Sequence, residues 1–157
     1  MKHIIVGLTL LLSIGISAQA QKKVVKKTSS KTTTKVVVPT VVKESFSANY
    51  ADVKNDKWSK SYVGNYVSTF SNTENSKQTN EYNANGQLLK TKIEFDSTTY
   101  PQMVTAAIQQ KYPTASIANV TRVQMPGLAP YYKVGIVIAE TGRKRELFVS
   151  EEGTISL

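Results

Sequence analysis

The chain has 157 residues, enough for one domain or for two small half-domains that share a core. It holds no cysteine and one histidine, His3, which falls inside an N-terminal export signal, so the mature chain lacks the groups for a Ser-His or Cys-His nucleophile pair, a His-ligated zinc site or a thiolate site. The formal charge of +9 is concentrated in a tail: seven lysines and no acid lie between Lys22 and Lys43, whereas from Glu44 onward twelve Lys and Arg face eleven Asp and Glu. A basic tail on a near-neutral remainder argues against a nucleic-acid partner, and no cofactor or metal is expected.

Residues 1–20 read as a signal peptide, with Lys2 in the n-region, an apolar h-region over Ile4 to Ile16 and the small-x-small pattern Ala18-Gln19-Ala20. Cleavage between Ala20 and Gln21 predicts an exported protein, periplasmic or secreted. The apolar run is shorter than the ~20 residues of a spanning helix, so none is expected after cleavage. Export here comes without disulfides and without the thiol that a lipid anchor would need. Residues 21–43 alternate Lys pairs, Ser/Thr runs and Val runs and lack aromatics, which predicts a flexible basic linker. Its Lys22, Lys23, Lys26, Lys27, Lys31 and Lys35 can attach the protein to an anionic envelope surface or simply keep a linker solvated. The β-branched run Val36 to Val42 can instead add a strand to a sheet edge.

From residue 44 the pattern is that of a folded domain. Phe46, Tyr50 and Val53 at i, i+4 and i+7 predict a short helix from Ser45. After Trp58, residues Tyr62, Gly64, Tyr66, Ser68 and Phe70 alternate along one side of a strand. Strands over Gln78 to Tyr82 and Gln87 to Phe95 flank Asn83-Ala84-Asn85-Gly86, a loop whose Asn and Gly tolerate positive φ. Pro101 opens a second helix, with Thr98 or Thr99 as cap, Val104, Ala107, Ile108 and Tyr112 as its apolar stripe and Pro113 as its stop. Strands over Ser116 to Gln124, Tyr131 to Glu140 and Lys144 to Ser150 follow, and Thr154 to Leu157 closes the chain.

Helix then strands, twice over, predicts an α+β protein: two helix-plus-antiparallel-strand repeats, about 44–96 and 99–157, forming one sheet with both helices on one face. Tyr50 and Tyr112 lie 62 residues apart and Gly86 and Gly153 lie 67 apart. The difference suggests an insertion at Pro126-Gly127-Leu128-Ala129-Pro130 in the second copy.

The doubled pattern, with its Lys111-Tyr112-Pro113 helix end, Trp58, the Tyr66-to-Phe70 and Tyr132-to-Ile136 strands and the paired turns at Gly86 and Gly153, resembles the PepSY-like family of small secreted bacterial proteins over Ser45 to Leu157. The resemblance implies a fold like that of the β-lactamase-inhibitor protein, with a sheet face open to proteins or peptides, and an inhibitor-like role by analogy of fold. It carries no catalytic motif. The Asp that often precedes the glycine turn in such proteins is Asn83 here and Ser150 in the second half, which removes a carboxylate from both turns.

Asp52, Asn55 and Asp56, and likewise Asn83, Asn85 and Gly86, lack the alternating oxygen donors and closing Glu of a calcium loop; helix end and hairpin are the simpler readings. Glu151 and Glu152 are adjacent and diverge on a turn, unlike a glycosidase pair. Asp96-Ser97-Thr98 matches a bacterial O-glycan acceptor at Ser97, against a plain turn leading into the helix. Asn119-Val120-Thr121 is an N-glycan sequon by letter only.

Eight tyrosines and one tryptophan remain. If Tyr132, Val134 and Ile136 face the helices, then Tyr131, Lys133 and, on the next strand, Phe148 face away. These three, with Trp58 and Tyr62 added, make a candidate binding face for a protein or peptide; the competing reading scatters them through core and surface. The sequence thus favours an exported non-enzymatic binding module. Its rivals are an envelope-associated protein docked on anionic glycan or lipid through its tail and, remotely, a hydrolase.

Overall fold

The computed structural model describes residues 36–156, so the signal segment, the Ala20–Gln21 junction and the tail lysines up to Lys35 lie outside the described residues. Two helices and eight strands follow in the order α1 (Thr40–Asn49), β1 (Lys57–Lys60), β2 (Tyr66–Ser71), β3 (Lys77–Tyr82), β4 (Leu88–Phe95), α2 (Gln102–Lys111), β5 (Ala115–Gln124), β6 (Tyr131–Ile138), β7 (Lys144–Ser150) and β8 (Ile155–Ser156). The strands form one antiparallel sheet in which every neighbour in space is a neighbour in sequence. This is an α+β architecture built from local connections.

The two helices are built alike. Each has ten residues, a proline with extended ψ at its N-cap (Pro39, Pro101) and a tyrosine at its C-cap (Tyr50, Tyr112) whose N–H returns to the carbonyl four residues back. Proline suits that entrance because its fixed φ is preset and no amide donor is orphaned. Each helix buries its third and seventh residues, Val42 and Phe46 in α1 and Val104 and Ile108 in α2, one turn apart on a single stripe. Full burial of such a side chain contributes roughly 1.5–3 kcal/mol.

The domain therefore begins earlier than residue 44. Val38 is 9% exposed and Val42 fully buried, so the expected 21–43 linker ends inside a folded segment. The Val36 to Val42 run adds no strand, since it enters α1 at Thr40. Its β-branched residues read as extended or unstructured because helix propensity is weak, and packing of Val42 on Phe46 and Phe70 overrides it. The alternation after Trp58 likewise divides into two strands. A turn at Ser61–Asn65, closed by the Ser61 N–H to the Asn65 carbonyl at 2.9 Å, separates β1 from β2.

Two hydrophobic clusters result. Val38, Val42 and Phe46 pack with Phe70 and Tyr82, while Val104 and Ile108 pack with Val120, Tyr132, Val134, Ile136, Leu147 and Val149. The register places Phe70, Gln78, Ile93, Arg122, Tyr132 and Val149 in one row across β2 to β7. We call the sheet side that carries this row the inner face. The Gly86 turn lies against α1 and the Gly153 turn against α2, each opposite the second and sixth helix residues: Val41 and Ser45, Met103 and Ala107.

The length difference between the halves does not sit mainly in the 126–130 loop. β5 ends two residues further from Tyr112 than β1 ends from Tyr50, the loop that follows is one residue longer, and β6 has eight residues against six in β2.

Candidate functional site

Strand parity sets the outer face. With Tyr132, Val134 and Ile136 buried, their neighbours Tyr131, Lys133 and Gly135 point to the other side of β6, and Phe148 and Glu146 do so on β7. The rings of Tyr131 and Phe148 meet edge to face with centroids 5.7 Å apart, a favoured aromatic geometry. Lys133 stands directly opposite Phe148 and ion-pairs with Glu146 at 2.8 Å. Val123 completes the group. It is 4% exposed yet belongs to neither helix-backed cluster, because it stands on the outer face between Lys92 and Tyr131. Its signal in the sequence was the strand alternation of β5, whose parity becomes clear only once β5 is paired with β6.

The strip beside this patch is held low. A Cβ on Gly135 would lie 2.8 Å from the Asn119 amide, so Asn119 lies across the glycine and only the missing side chain permits it. The register of β5 shifts between Ile117 and Asn119, the bulge that turns Asn119 to this side.

Trp58 and Tyr62 do not join the patch. Trp58 packs edge to face on Phe46 at 5.4 Å in the α1 cluster, and its indole N–H donates to the Asp56 carboxylate. It is a partly buried core residue, placed on the inner face by the pairing Trp58 with Ser68. Tyr62 is fully exposed in the turn between β1 and β2, separated from β6 by the breadth of the intervening strands. Trp58 is turned inward by its pairing with Ser68, and Tyr62 sits in a turn outside any strand, so neither shares the face of Tyr131.

The remaining candidates have structural explanations. The Asn83 side-chain oxygen accepts from the N–H groups of Asn85 and Gln87, and the Ser150 hydroxyl accepts from those of Glu152 and Thr154. The two residues standing where the resemblance placed an Asp therefore cap equivalent glycine turns. Glu151 ion-pairs with Arg122 at 2.6 Å, while the Ser150 hydroxyl holds the Glu152 carboxyl below the usual carboxylate range. Ser97 is exposed in the Asp96–Thr99 turn. Among the described residues no three His, Asp or Glu side chains gather as metal ligands, and no helix is long and apolar enough to cross a membrane.

On the inner side an open groove of about 1140 Å³ runs between the loop after α1 and the β2–β3 turn, floored by Tyr50, Phe70, Gln78 and Ile93. The Gln78 amide donates there to the Tyr50 hydroxyl at 2.9 Å and to the Asn80 side-chain oxygen at 3.1 Å. Burial pushes the Tyr82 hydroxyl up to about 12.

An eight-stranded antiparallel meander with two helices defines the class. Solved structures share it: a DUF2874 family protein from Bacteroides ovatus is 21% identical with a TM-score of 0.69, covering 78% of this chain and 86% of its own. A BLIP-like protein from Bacteroides fragilis is 21% identical with a TM-score of 0.67, over 78% and 85% of the two chains. A candidate periplasmic protein from Bacteroides eggerthii is 16% identical at 0.67, over 78% and 88%. The protein thus has the BLIP-like fold, as the resemblance implied; at these identities the likeness is one of fold. No family model matches the chain, and no curated protein matches it in sequence.

Proposed function

We propose that the protein is an exported, non-enzymatic binding module made of two helix-plus-four-strand repeats whose helices share the inner face, leaving the outer face to hold a protein or peptide, in the manner of an inhibitor. The observation that carries this reading is the Tyr131–Phe148 ring pair beside Val123 on a sheet face that neither hydrophobic cluster covers. Aromatic side chains fixed by one another bring large contact area at little entropic cost. The signal-like first 20 residues, the neighbour from Bacteroides eggerthii and the BLIP-like neighbour support export and the binding role.

A photo-crosslinking amino acid placed at Phe148 tests it in the native host. Covalent capture of a discrete partner from Phe148 and not from Gln110, exposed on α2, is the expected result. Equal capture from both positions, or none from Phe148, would sink the proposal. Phe148 is partly buried against Tyr131, so Phe148→Ala should lower thermal stability modestly, and by less than truncation of the fully buried Leu147.

The lysine-rich tail favours a second reading, docking on anionic envelope glycan or lipid. Deleting residues 21–35 separates the two: envelope association is then lost while capture from Phe148 persists.

A further inference from the structure

From Glu44 onward twelve basic residues face eleven acidic ones, but the strands carry nine of the basic residues and only three of the acidic ones. The strand register puts Lys57, Lys77, Lys90, Lys92, Lys133 and Lys144 on the outer face, against only Glu81, Glu94 and Glu146. The other acids lie on turns, on α1 or in loops. Each of the three outer glutamates is engaged by a lysine, Glu81 by Lys90, Glu94 by Lys77 and Glu146 by Lys133. Lys57, Lys92 and Lys144 have no carboxylate within ion-pair distance among the described residues.

Two of these lysines fall in line with the patch. The register runs Lys57, Thr69, Thr79, Lys92, Val123, Tyr131, Ser150 straight across seven strands, a row with no acid in it. At about 4.8 Å per strand, Lys92 stands roughly 10 Å from Tyr131 and Lys57 roughly 14 Å further on. A cationic row ending in an apolar step is a recognition pattern, since the rings supply contact area and the lysines set register and exclude basic partners.

We propose that the occupant of the outer face is an acidic protein segment, lying across the strands with an apolar side chain on Tyr131 and Phe148 and carboxylates on Lys92 and Lys57. This rests on the outer-face reading above and names the chemistry of its partner. An extended segment advances about 3.4 Å per residue, so the first carboxylate falls about three residues beyond the apolar side chain and the second about four beyond that. Charge complementarity selects this occupant. A lipid or glycan sheet would press its phosphates or sulfates on Glu81, Glu94 and Glu146 as well as on the lysines, whereas a single segment can follow the acid-free row.

The test uses the mature chain labelled with nitrogen-15, with a random copolymer of glutamate and tyrosine as probe, so that NMR separates contacts on the face from contacts on the basic tail. The amides of Lys92, Val123, Tyr131 and Phe148 should shift or broaden saturably. The double variant Lys57→Glu, Lys92→Glu should weaken that response by about tenfold or more. Lys111→Glu, on α2, should leave it unchanged. Perturbation confined to residues 21–43, survival of the face response in the double variant, or an equal face response to a lysine–tyrosine copolymer, to heparin or to phosphatidylglycerol vesicles would each overturn the proposal. If crosslinking from Phe148 still captures a partner while the copolymer leaves the face untouched, the binding face stands and the acidic chemistry falls.

Discussion

The strands β2 and β3, clustered with α1, and the strands β6 and β7, clustered with α2, fill their buried positions with different chemistry. Ser68 pairs across with Asn80, and Val134 pairs with Leu147; Tyr66 pairs with Tyr82, and Tyr132 with Val149. Under α1 the central three positions are therefore Ser68, Asn80 and Tyr82; under α2 they are Val134, Leu147 and Val149. All six are buried. In the first half the Ser68 hydroxyl, the Asn80 amide nitrogen and the Tyr82 hydroxyl have no hydrogen-bond partner among the described residues. One scaffold thus tolerates aliphatic strand residues under one helix and, beside Val42, Phe46 and Phe70 under the other, a polar strip whose groups cost about 1–3 kcal/mol each where they lack a partner.

The largest effect that can break this comparison is a cavity in the aliphatic half. Leu147→Ala, at a fully buried site, should cost about 2–5 kcal/mol in urea unfolding. A loss below about 1 kcal/mol would show that the aliphatic positions under α2 contribute little to stability.

The turns come next. At both Gly86 and Gly153 φ is near +80 to +85, but a Cβ at Gly86 would lie 2.6 Å from the Ser45 hydroxyl and 2.8 Å from the Val41 carbonyl, while at Gly153 the nearest atom is 3.8 Å away. Alanine at Gly153 should cost about 1 kcal/mol from backbone conformation alone. Alanine at Gly86 should cost clearly more, since α1 must move. Equal losses would mean that the first helix yields freely.

Giving the first half the second half's residues should sharpen the contrast in the other direction. Ser68→Val with Asn80→Leu is expected to stabilise by about 1–2 kcal/mol, with hydrogen exchange slowing in α1 more than in α2. Destabilisation would show that the polar strip under α1 is satisfied in solution.

The smallest effect concerns acid. The Asn65 amide, donating at 2.8 Å, holds the Glu81 carboxyl below its ordinary 4.5, opposed by partial burial and aided by Lys90. A depressed folded-state value gives stability that is present above the unfolded pKa and lost as pH falls through the folded one. The stability gap between the protein and Asn65→Ala should thus be open at neutral pH and narrow below pH 4.5. A gap constant from neutral to strongly acidic pH would assign the Asn65 contribution to something other than Glu81.

Much of this was legible in residue order. The Val104 and Ile108 stripe, the glycine turns and the alternation of Tyr131 to Ile138 are local signals, because side-chain period follows directly from backbone geometry. The start of α1 was not, since Val41 and Val42 favour extended structure in isolation and are helical only against Phe46 and Phe70. Nor was the site legible as a whole. Trp58 looked like a surface aromatic until its pairing with Ser68 turned it inward, and Val123 had no face until β5 was paired.

Chain order alone determined two short helices, the second with its proline entrance, and hairpin turns at Gly86 and Gly153, and hence an α+β protein, for each of these choices is made within a few residues. Which side chains meet on the outer face was decided only by the register. That register sets residues far apart in sequence side by side, so that Lys57, Lys92, Val123 and Tyr131 form one row. No local rule can see such a row, because it runs perpendicular to the chain.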